Sequence, residues 1–204
     1  VVDGDYTLTF PSGSGSPTNA KVAYAEVAPI GDTSIRTQIR QVQGAGPVSI
    51  LARGDITQLT AYQAGIDPSG VYIARNNGPV APPILVSAPT DLNPSLQDVV
   101  LQFDVIGNQL SLYAWPAGEQ KPITPVLSVT DNAYSSGVPG LLINGNGPHS
   151  AVFRYVHVAD SSIIPEPPTA MLSAIFFAGV CVLQWRRSAR PHAASRSRPR
   201  LPVP

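Results

Sequence analysis

Paired carboxylates are the first residues to consider, because hydrolysis of a glycosidic bond needs two of them about 5–10 Å apart. The three glutamates, Glu26, Glu119 and Glu166, have no second acid at strand spacing. Asp98 and Asp104 lie on one face of a predicted strand but six residues apart, which is roughly 20 Å along a straight strand. The carboxylates therefore disfavour glycoside hydrolysis, and a glycan-processing enzyme is kept only as the alternative function.

The sequence also gives no support for nucleophilic catalysis or for a zinc site. A Ser-His-Asp arrangement needs a positioned histidine, and the candidates His149 and His157 lie in no nucleophile motif. We predict that His157 is a surface strand residue and that His149 lies in a loop. Cys181 is the only cysteine, so the chain has no Cys/His cluster for zinc and no intrachain disulfide. We therefore expect a protein that is not an enzyme.

Calcium is the one metal that the acidic residues could bind. Asp3, Asp131 and Asp160 are weak candidate ligands, because calcium takes six or more oxygen ligands and these three are scattered along the chain. For Asp131 we favour the alternative of a side chain that caps a turn. No cofactor is predicted, and calcium is left open.

A group of aromatic, amide and arginine side chains favours carbohydrate binding, in which aromatic faces and hydrogen bonders hold the sugar. We expect seven of them, on two predicted hairpins, to share a concave face: Tyr62, Tyr72, Arg75, Asn76, Asn77, Tyr113 and Trp115. The principal ligand-binding candidates are Tyr62, Arg75, Asn76, Tyr113 and Trp115. In the structural alternative, Tyr62 and Tyr72 are half-buried in the core and Trp115 covers a sheet edge.

The tripeptide Arg53-Gly54-Asp55 matches a cell-adhesion motif. Three residues recur often by chance, so the match alone says little about partners. The simpler interpretation is a strand that ends at Arg53 and a turn at Gly54.

Short segments rich in Val, Ile, Thr, Tyr and Phe must position these side chains. One segment alternates apolar residues on one side with polar residues on the other, and its apolar side comprises Val99, Leu101, Phe103 and Val105. Gly107-Asn108 then predicts a tight hairpin, and Gly65–Gly70 predicts a second turn. Before Ile164 no segment has a helical period. The pattern predicts an all-β antiparallel sandwich or barrel.

The end of the chain has a different composition. From Pro168 to Trp185 there are eighteen residues without an ionisable acid or base, enough for a helix to span a bilayer core of about 30 Å. Arg186 and Arg187 follow at once, and arginines flanking such a helix stay on the cytoplasmic side. We therefore predict one C-terminal transmembrane helix, the alternative being a helix packed into a globular core.

The net charge of zero hides two opposite parts. Residues 1–166 carry thirteen acids and seven bases, and the remaining 38 residues carry six arginines and no acid. The asymmetry indicates membrane topology, and the acidic part offers no electrostatic reason to bind nucleic acid. The chain starts at Val1 without a signal segment, so for an exported protein we expect a processed N-terminus or a fragment.

The order of Pro165-Glu166-Pro167, an apolar helix and Arg186-Arg187 resembles the PEP-CTERM sorting signal of bacterial exported proteins. The resemblance implies cleavage by an exosortase-type membrane protease-transpeptidase. It also implies export through an inner-membrane-anchored intermediate to the cell surface or the extracellular matrix. The chain departs from the family pattern by continuing through residues 188–204, a stretch rich in Pro, Arg and Ser that we predict to be disordered.

The preceding residues resemble the laminin-G-like class of concanavalin A-like jelly rolls. The resemblance rests on a Tyr strand that leads into a strand ending in a basic residue, the Gly-Asn hairpin, a late loop and a last strand. The late loop comprises Asp131, Tyr134, Gly137 and Gly140, and the last strand contains Phe153, Val156 and Val158. Members of this class often bind calcium at a rim and include lectins. The class also has hydrolase members, but their carboxylate pair is missing from this sequence. We therefore predict a non-enzymatic surface or matrix protein that binds a glycan or another surface component.

The predicted organisation has four parts. Residues 1–160 form the sandwich, and residues 161–167 form a linker that carries the Pro-Glu-Pro motif. Residues 168–185 form the sorting helix, and residues 186–204 form a basic cytoplasmic tail.

The sorting motif gives the first testable prediction. In a host with the matching exosortase, Glu166→Ala should leave the full-length protein in the membrane fraction, because the resemblance implies recognition through this motif. Immunoblots of membrane and medium fractions measure the effect. Equal release of the variant and the wild type would contradict the assignment.

Overall fold

The computed structural model describes residues 2–10, 20–44, 46–78, 81–145 and 148–160, and every regular element in these ranges is a β-strand. Twelve strands follow one another through the described ranges. They are β1 (Val2–Phe10), β2 (Ala20–Tyr24), β3 (Thr33–Gln43), β4 (Val48–Asp55), β5 (Thr60–Asp67), β6 (Gly70–Asn77), β7 (Ile84–Ala88), β8 (Val99–Ile106), β9 (Gln109–Pro116), β10 (Leu127–Thr130), β11 (Val138–Asn144) and β12 (His149–Asp160).

The strands form two antiparallel sheets that pack face to face. The front sheet has the order β1-β12-β3-β8-β9-β10, and the back sheet has the order β2-β11-β4-β5-β6-β7. Both sheets contribute side chains to one core, with Phe103 and Phe153 from the front sheet and Ile50 and Ile73 from the back sheet fully buried. The prediction of an antiparallel β-sandwich is therefore confirmed.

The alternation predicted in β8 is also confirmed. Val99, Leu101, Phe103 and Val105 are fully buried in the core. Gln102 and Asp104 lie on the opposite face and hydrogen bond with each other there. A strand with one buried and one solvated face has this period of two.

The two predicted turns are present, one with different bounds. Gly107 and Asn108 join β8 to β9, and Gly107 has a φ of 57° that suits glycine. The second turn is shorter than Gly65–Gly70, because β5 continues to Asp67 and pairs there with Gly70. Gly65 is instead a residue of β5 that pairs with Tyr72. A Cβ atom on it would lie only 2.8 Å from the Tyr72 hydroxyl, so the close packing there favours glycine.

Residues 161–204 lie outside the described residues. They contain the Pro-Glu-Pro motif and the segments predicted to be a linker, a sorting helix and a basic tail. The residues that the structure describes contain no helix that could span a bilayer. The predicted boundaries of these segments stay predictions.

His149 does not lie in the predicted loop but begins β12 and is buried. Its Nδ1 atom faces two N–H donors, Gln41 Nε2 at 3.1 Å and the Gly46 backbone at 3.4 Å. Nδ1 must therefore accept, so the hydrogen is on Nε2, which has no hydrogen-bond partner among the described residues. Burial lowers the pKa of His149, and the carbonyls of Gln43 and Pro47 offset only part of this effect.

The free energy of unfolding should consequently fall as the pH is lowered through about 6.5, the pKa of an unfolded histidine. Below that pH the unfolded chain binds a proton that the folded chain binds less readily. His149→Asn keeps an acceptor near the position of Nδ1 and does not titrate, so its stability should change less between pH 7 and pH 5. Urea denaturation at a series of pH values measures this.

Val27→Ala, at an exposed valine between β2 and β3, is the control because it changes no titratable group. It should retain the pH dependence of the wild type. An unchanged pH dependence in His149→Asn would contradict the assignment.

Candidate functional site

The seven predicted ligand-binding residues do not share one face. Tyr62 is in β5 and Arg75 and Asn76 are in β6, so these belong to the back sheet. Tyr113 and Trp115 are in β9 and belong to the front sheet. Tyr72 and Asn77 are also in β6. The expectation of one concave surface is therefore wrong, and two separate surfaces have to be considered.

The first surface, the late-loop cluster, consists of Tyr62, Arg75, Asn77, Asp131 and Tyr134. Its centre is the carboxylate of Asp131, in the loop between β10 and β11. The Tyr62 hydroxyl donates to Oδ1 at 2.7 Å, and Arg75 Nη1 donates to Oδ2 at 2.9 Å. The Ala133 N–H also donates to Oδ1, at 2.9 Å. Asp131 therefore caps its own loop and joins that loop to the back sheet.

Electrostatics keep Asp131 ionised. Burial alone would raise the pKa of this carboxyl, but the Ala133 N–H, the Tyr62 hydroxyl and the Arg75 guanidinium together lower it. Burial raises the pKa of Tyr62, so its hydroxyl remains a donor to Asp131 at neutral pH. The arrangement is a stable charge pair with fixed geometry, which suits binding better than proton transfer.

Tyr134 connects the cluster to the end of β6. Its ring packs on that of Tyr62 with 5.0 Å between centroids, and its backbone N–H donates to the Tyr62 hydroxyl at 3.1 Å. The Tyr134 hydroxyl lies 2.6 Å from the Asn76 carbonyl and 2.7 Å from the Asn77 side chain. Because the hydroxyl has one hydrogen, donating to the carbonyl requires Asn77 to present its NH₂ group. These contacts fix the orientation of the Tyr134 ring at the exposed end of the late-loop cluster.

Arg53 binds the same loop from β4. It has a φ of 52° and is 4 % exposed, and it donates to the Tyr134 carbonyl at 2.7 Å and to the Gly31 carbonyl at 2.8 Å. An ion pair with Asp32 at 3.2 Å completes its bonding. The strand continues to Asp55 instead of ending at Arg53. The arginine of the Arg-Gly-Asp tripeptide is therefore occupied internally, which disfavours the adhesion interpretation.

The described residues offer little to a calcium ion. No three His, Cys, Asp or Glu side chains among them lie close enough together to hold a metal. Asp131 has the turn-capping role that we favoured, and Asp160 ends β12 opposite Thr33. The side chain of Asp3 lies outside the described part of the structure.

The second surface is the outer face of the front sheet, which carries Tyr113 and Trp115. Lys121 places its ammonium 3.8 Å from the centroid of the Tyr113 ring, a cation–π contact. The same ammonium lies 3.8 Å from Asp104 Oδ2. Trp115 is only 7 % exposed. Neither aromatic residue therefore presents a bare ring face of the kind that we expected for sugar stacking.

Both aspartates that we considered for hydrolysis have structural partners. Asp98 precedes β8 and accepts from Gln38 at 2.6 Å and from Arg154 at 2.9 Å. Burial would raise the pKa of Asp98, but these groups lower it on balance. Asp104 accepts from Ser34 and from Gln102 Nε2 at 2.9 Å. Asp98 is thus held in its ionised form, which does not suit a general acid.

Sequence reasoning missed the two cations that organise these surfaces. Lys121 lies in a proline-rich loop whose sequence has no period, so nothing indicated that it covers Tyr113. In the sequence, Arg53 stands out only as part of a short tripeptide motif. The late-loop pattern around Asp131 and Tyr134 was the useful signal, although its main role is to fix the loop.

No protein-family model matches this chain, and the comparison with curated proteins finds no match either. Solved structures do resemble it. The carbohydrate-binding module CBM66 from Bacillus subtilis has a TM-score of 0.58 at 18 % identity, over 76 % of this chain and 95 % of that one. The VIP36 exoplasmic/lumenal domain bound to Ca²⁺ and Man3GlcNAc has a TM-score of 0.54 at 9 % identity, over 82 % and 86 %.

A structure described as a native glycosidic hydrolase has a TM-score of 0.56 at 15 % identity, over 79 % of this chain and 80 % of that one. Identities this low establish a shared two-sheet jelly-roll fold and nothing about the ligand.

The late-loop cluster predicts the effect of Tyr62→Phe. This change removes a donor to Asp131 and leaves the Tyr134 N–H without its acceptor. The free energy of unfolding should fall by about 1–3 kcal/mol, measured by urea denaturation. Tyr6→Phe, at an exposed tyrosine in β1, is the matched control and should change stability by less than about 0.5 kcal/mol. Similar losses in both variants would contradict the role of the cluster.

Proposed function

We propose that this chain is an exported bacterial protein of the cell surface or extracellular matrix whose sandwich binds glycans without cleaving them. The jelly-roll fold shared with a carbohydrate-binding module and with a domain bound to Man3GlcNAc supports this proposal. The exposed end of the late-loop cluster supports it further, because that end combines an aromatic ring, an arginine and an amide.

The observation that carries the proposal is the fixed geometry of Arg75, Asn77 and Tyr134. Arg75 keeps a third of its side-chain surface exposed while Asp131 holds its Nη1 atom. Asn77 is exposed and is held against the Tyr134 hydroxyl. Side chains that are already ordered lose little entropy when a ligand binds. Their hydrogen-bonding groups suit the hydroxyls of a saccharide, and the edge of the Tyr134 ring adds an apolar contact.

Asn76 does not belong to this surface. Adjacent residues in a strand point to opposite faces, and Asn76 pairs with Ala61 whereas Arg75 pairs with Tyr62. The predicted candidates Arg75 and Asn76 therefore serve different faces of the back sheet.

Binding without hydrolysis is favoured over the glycan-processing alternative. One solved structure with this fold is named as a glycosidic hydrolase, so the fold does not decide between the two. The carboxylates of Asp98 and Asp131 are both held with a lowered pKa by hydrogen-bond donors. A hydrolase would need one carboxyl group that keeps its proton near neutral pH.

Export remains a proposal that rests on the Pro-Glu-Pro motif, the apolar segment and the arginines at 186 and 187. In it, an exosortase-type protease-transpeptidase is the processing partner, and the membrane holds the chain through residues 168–185 until cleavage. A glycan-binding domain would then act outside the cell.

The exposed end of the late-loop cluster predicts different effects for two neighbouring asparagines. Asn77→Ala should weaken binding to a glycan identified by array screening by about tenfold, because it removes an exposed hydrogen bonder and loosens Tyr134. Asn76→Ala is the matched control on the opposite face and should bind like the wild type. Isothermal titration calorimetry measures affinity, and thermal melting confirms that both variants are folded.

Three results would contradict the proposal. The first is an equal loss in both asparagine variants, and the second is the absence of binding to every glycan on the array. The third is the release of new reducing ends by the wild type during overnight incubation, which would favour the enzyme.

A further inference from the structure

A row of polar side chains crosses the outer face of the front sheet. Strand pairing places Arg36 of β3 opposite Gln102 of β8 and opposite His157 of β12. Gln102 in turn lies opposite Tyr113 of β9, over which Lys121 is placed. We name this set, from His157 through Arg36 and Gln102 to Tyr113 and Lys121, the Arg36 row.

Positive charge is concentrated on this face. Seven basic residues precede the Pro-Glu-Pro motif in the chain. Four of them are on the outer face of the front sheet or directly over it: Arg36, Arg40, Lys121 and Arg154. Residues 1–166, which contain these four, have nearly twice as many acids as bases. The outer face of the front sheet is therefore more basic than the rest of this segment.

Three of these four cations have acidic partners. Arg40 and Arg154 both pair with Asp98, at 3.5 and 2.9 Å. Lys121 pairs with Asp104, whose oxygens also accept from Ser34 and Gln102.

Arg36 differs, because within the described ranges it makes no hydrogen bond and no ion pair, although it is half-buried in the middle of the sheet. Asp104 is the acid nearest to it in the register, and that carboxylate already has several donors. A half-buried guanidinium with unused donors is a ready partner for an anion.

We propose that the Arg36 row binds the carboxylate groups of an acidic polysaccharide. The planar fork of Arg36 matches a carboxylate through two parallel hydrogen bonds. Gln102 uses its NH₂ group on Ser34 and Asp104, which leaves its carbonyl oxygen to accept from a sugar hydroxyl. Lys121 offers a second positive group above Tyr113, two strands and about 10 Å from Arg36. Two cations at this distance suit an extended chain with spaced charges.

A densely charged polyanion fits this face less well. Residues 1–160 carry twelve acids and seven bases, so the sandwich has a negative net charge, which repels nucleic acid at long range. Among the four basic residues described on this face, Arg36 alone is without an internal partner, so few phosphates could be neutralised. An acidic polysaccharide with one carboxylate in each sugar needs fewer contacts of this kind.

This inference rests on the proposal that the sandwich binds glycans, but it places acidic glycans on a different sheet from the late-loop cluster. The two surfaces therefore respond to different substitutions. Asn77→Ala should leave the Arg36 row intact, and changes at Arg36 should leave the late-loop cluster intact.

The test measures binding of the complete 204-residue chain to polygalacturonate, with neutral dextran and single-stranded DNA as comparison polymers. The wild type should bind polygalacturonate, and Arg36→Gln should bind it about tenfold more weakly because a charged bidentate contact is lost. Arg36→Lys keeps the charge without the fork and should recover only part of the affinity. Lys21→Gln is the matched control, since it removes one exposed charge from the back sheet.

Each outcome decides between specific alternatives. Equal weakening by Arg36→Gln and Lys21→Gln would mean general electrostatic attraction and overturn the inference. Equal binding of the wild type to single-stranded DNA and polygalacturonate would overturn it as well. Binding to neutral glycans alone, lost in Asn77→Ala, would overturn this inference and leave the proposed function standing. Thermal melting of every variant establishes that each binding change occurs in a folded protein.

Discussion

The carboxylate of Asp131 accepts hydrogen bonds from three segments, and the geometry of one end of the sandwich depends on it. Tyr62 and Arg75 reach it from the back sheet, and Ala133 reaches it from the late loop itself. Because these donors outweigh the effect of burial, the group stays charged. The same carboxylate orients Arg75 at the exposed end of the late-loop cluster. The proposed glycan contact of Arg75 therefore depends on its hydrogen bond to Asp131.

The outer face of the front sheet obeys a different constraint, which is the register between neighbouring strands. Antiparallel pairing fixes which side chains stand beside one another, and a shift by one residue would turn each of them to the core. In the observed register, Asp98 and Asp104 pair with cations, and Arg36 stands between Gln102 and His157. The unequal distribution of partners makes this face a candidate for anion recognition.

Part of the site was predictable from the sequence. The pattern around Asp131 and Tyr134 indicated a special loop, and the turn-capping role of Asp131 is the one observed. The grouping of Tyr62 with Trp115 was wrong, because no local feature assigns two strands to the same sheet. The positions of His149 and Lys121 were missed because burial at the start of β12 and contact with Tyr113 depend on segments distant in sequence.

The sequence by itself determined the alternation of β8, the Gly107-Asn108 hairpin and the antiparallel class, because these follow from side-chain periodicity and from local backbone preferences. It also contains the Pro-Glu-Pro tripeptide, the apolar segment and the arginines on which the proposal of export rests, because these are read directly from residue order. Only the tertiary structure decided that Arg75 meets Asp131 and that Arg36 lies beside Gln102. Those contacts join residues far apart in the chain. They arise when the two sheets bury their apolar faces together, a constraint that acts on the whole sandwich and leaves no local signature.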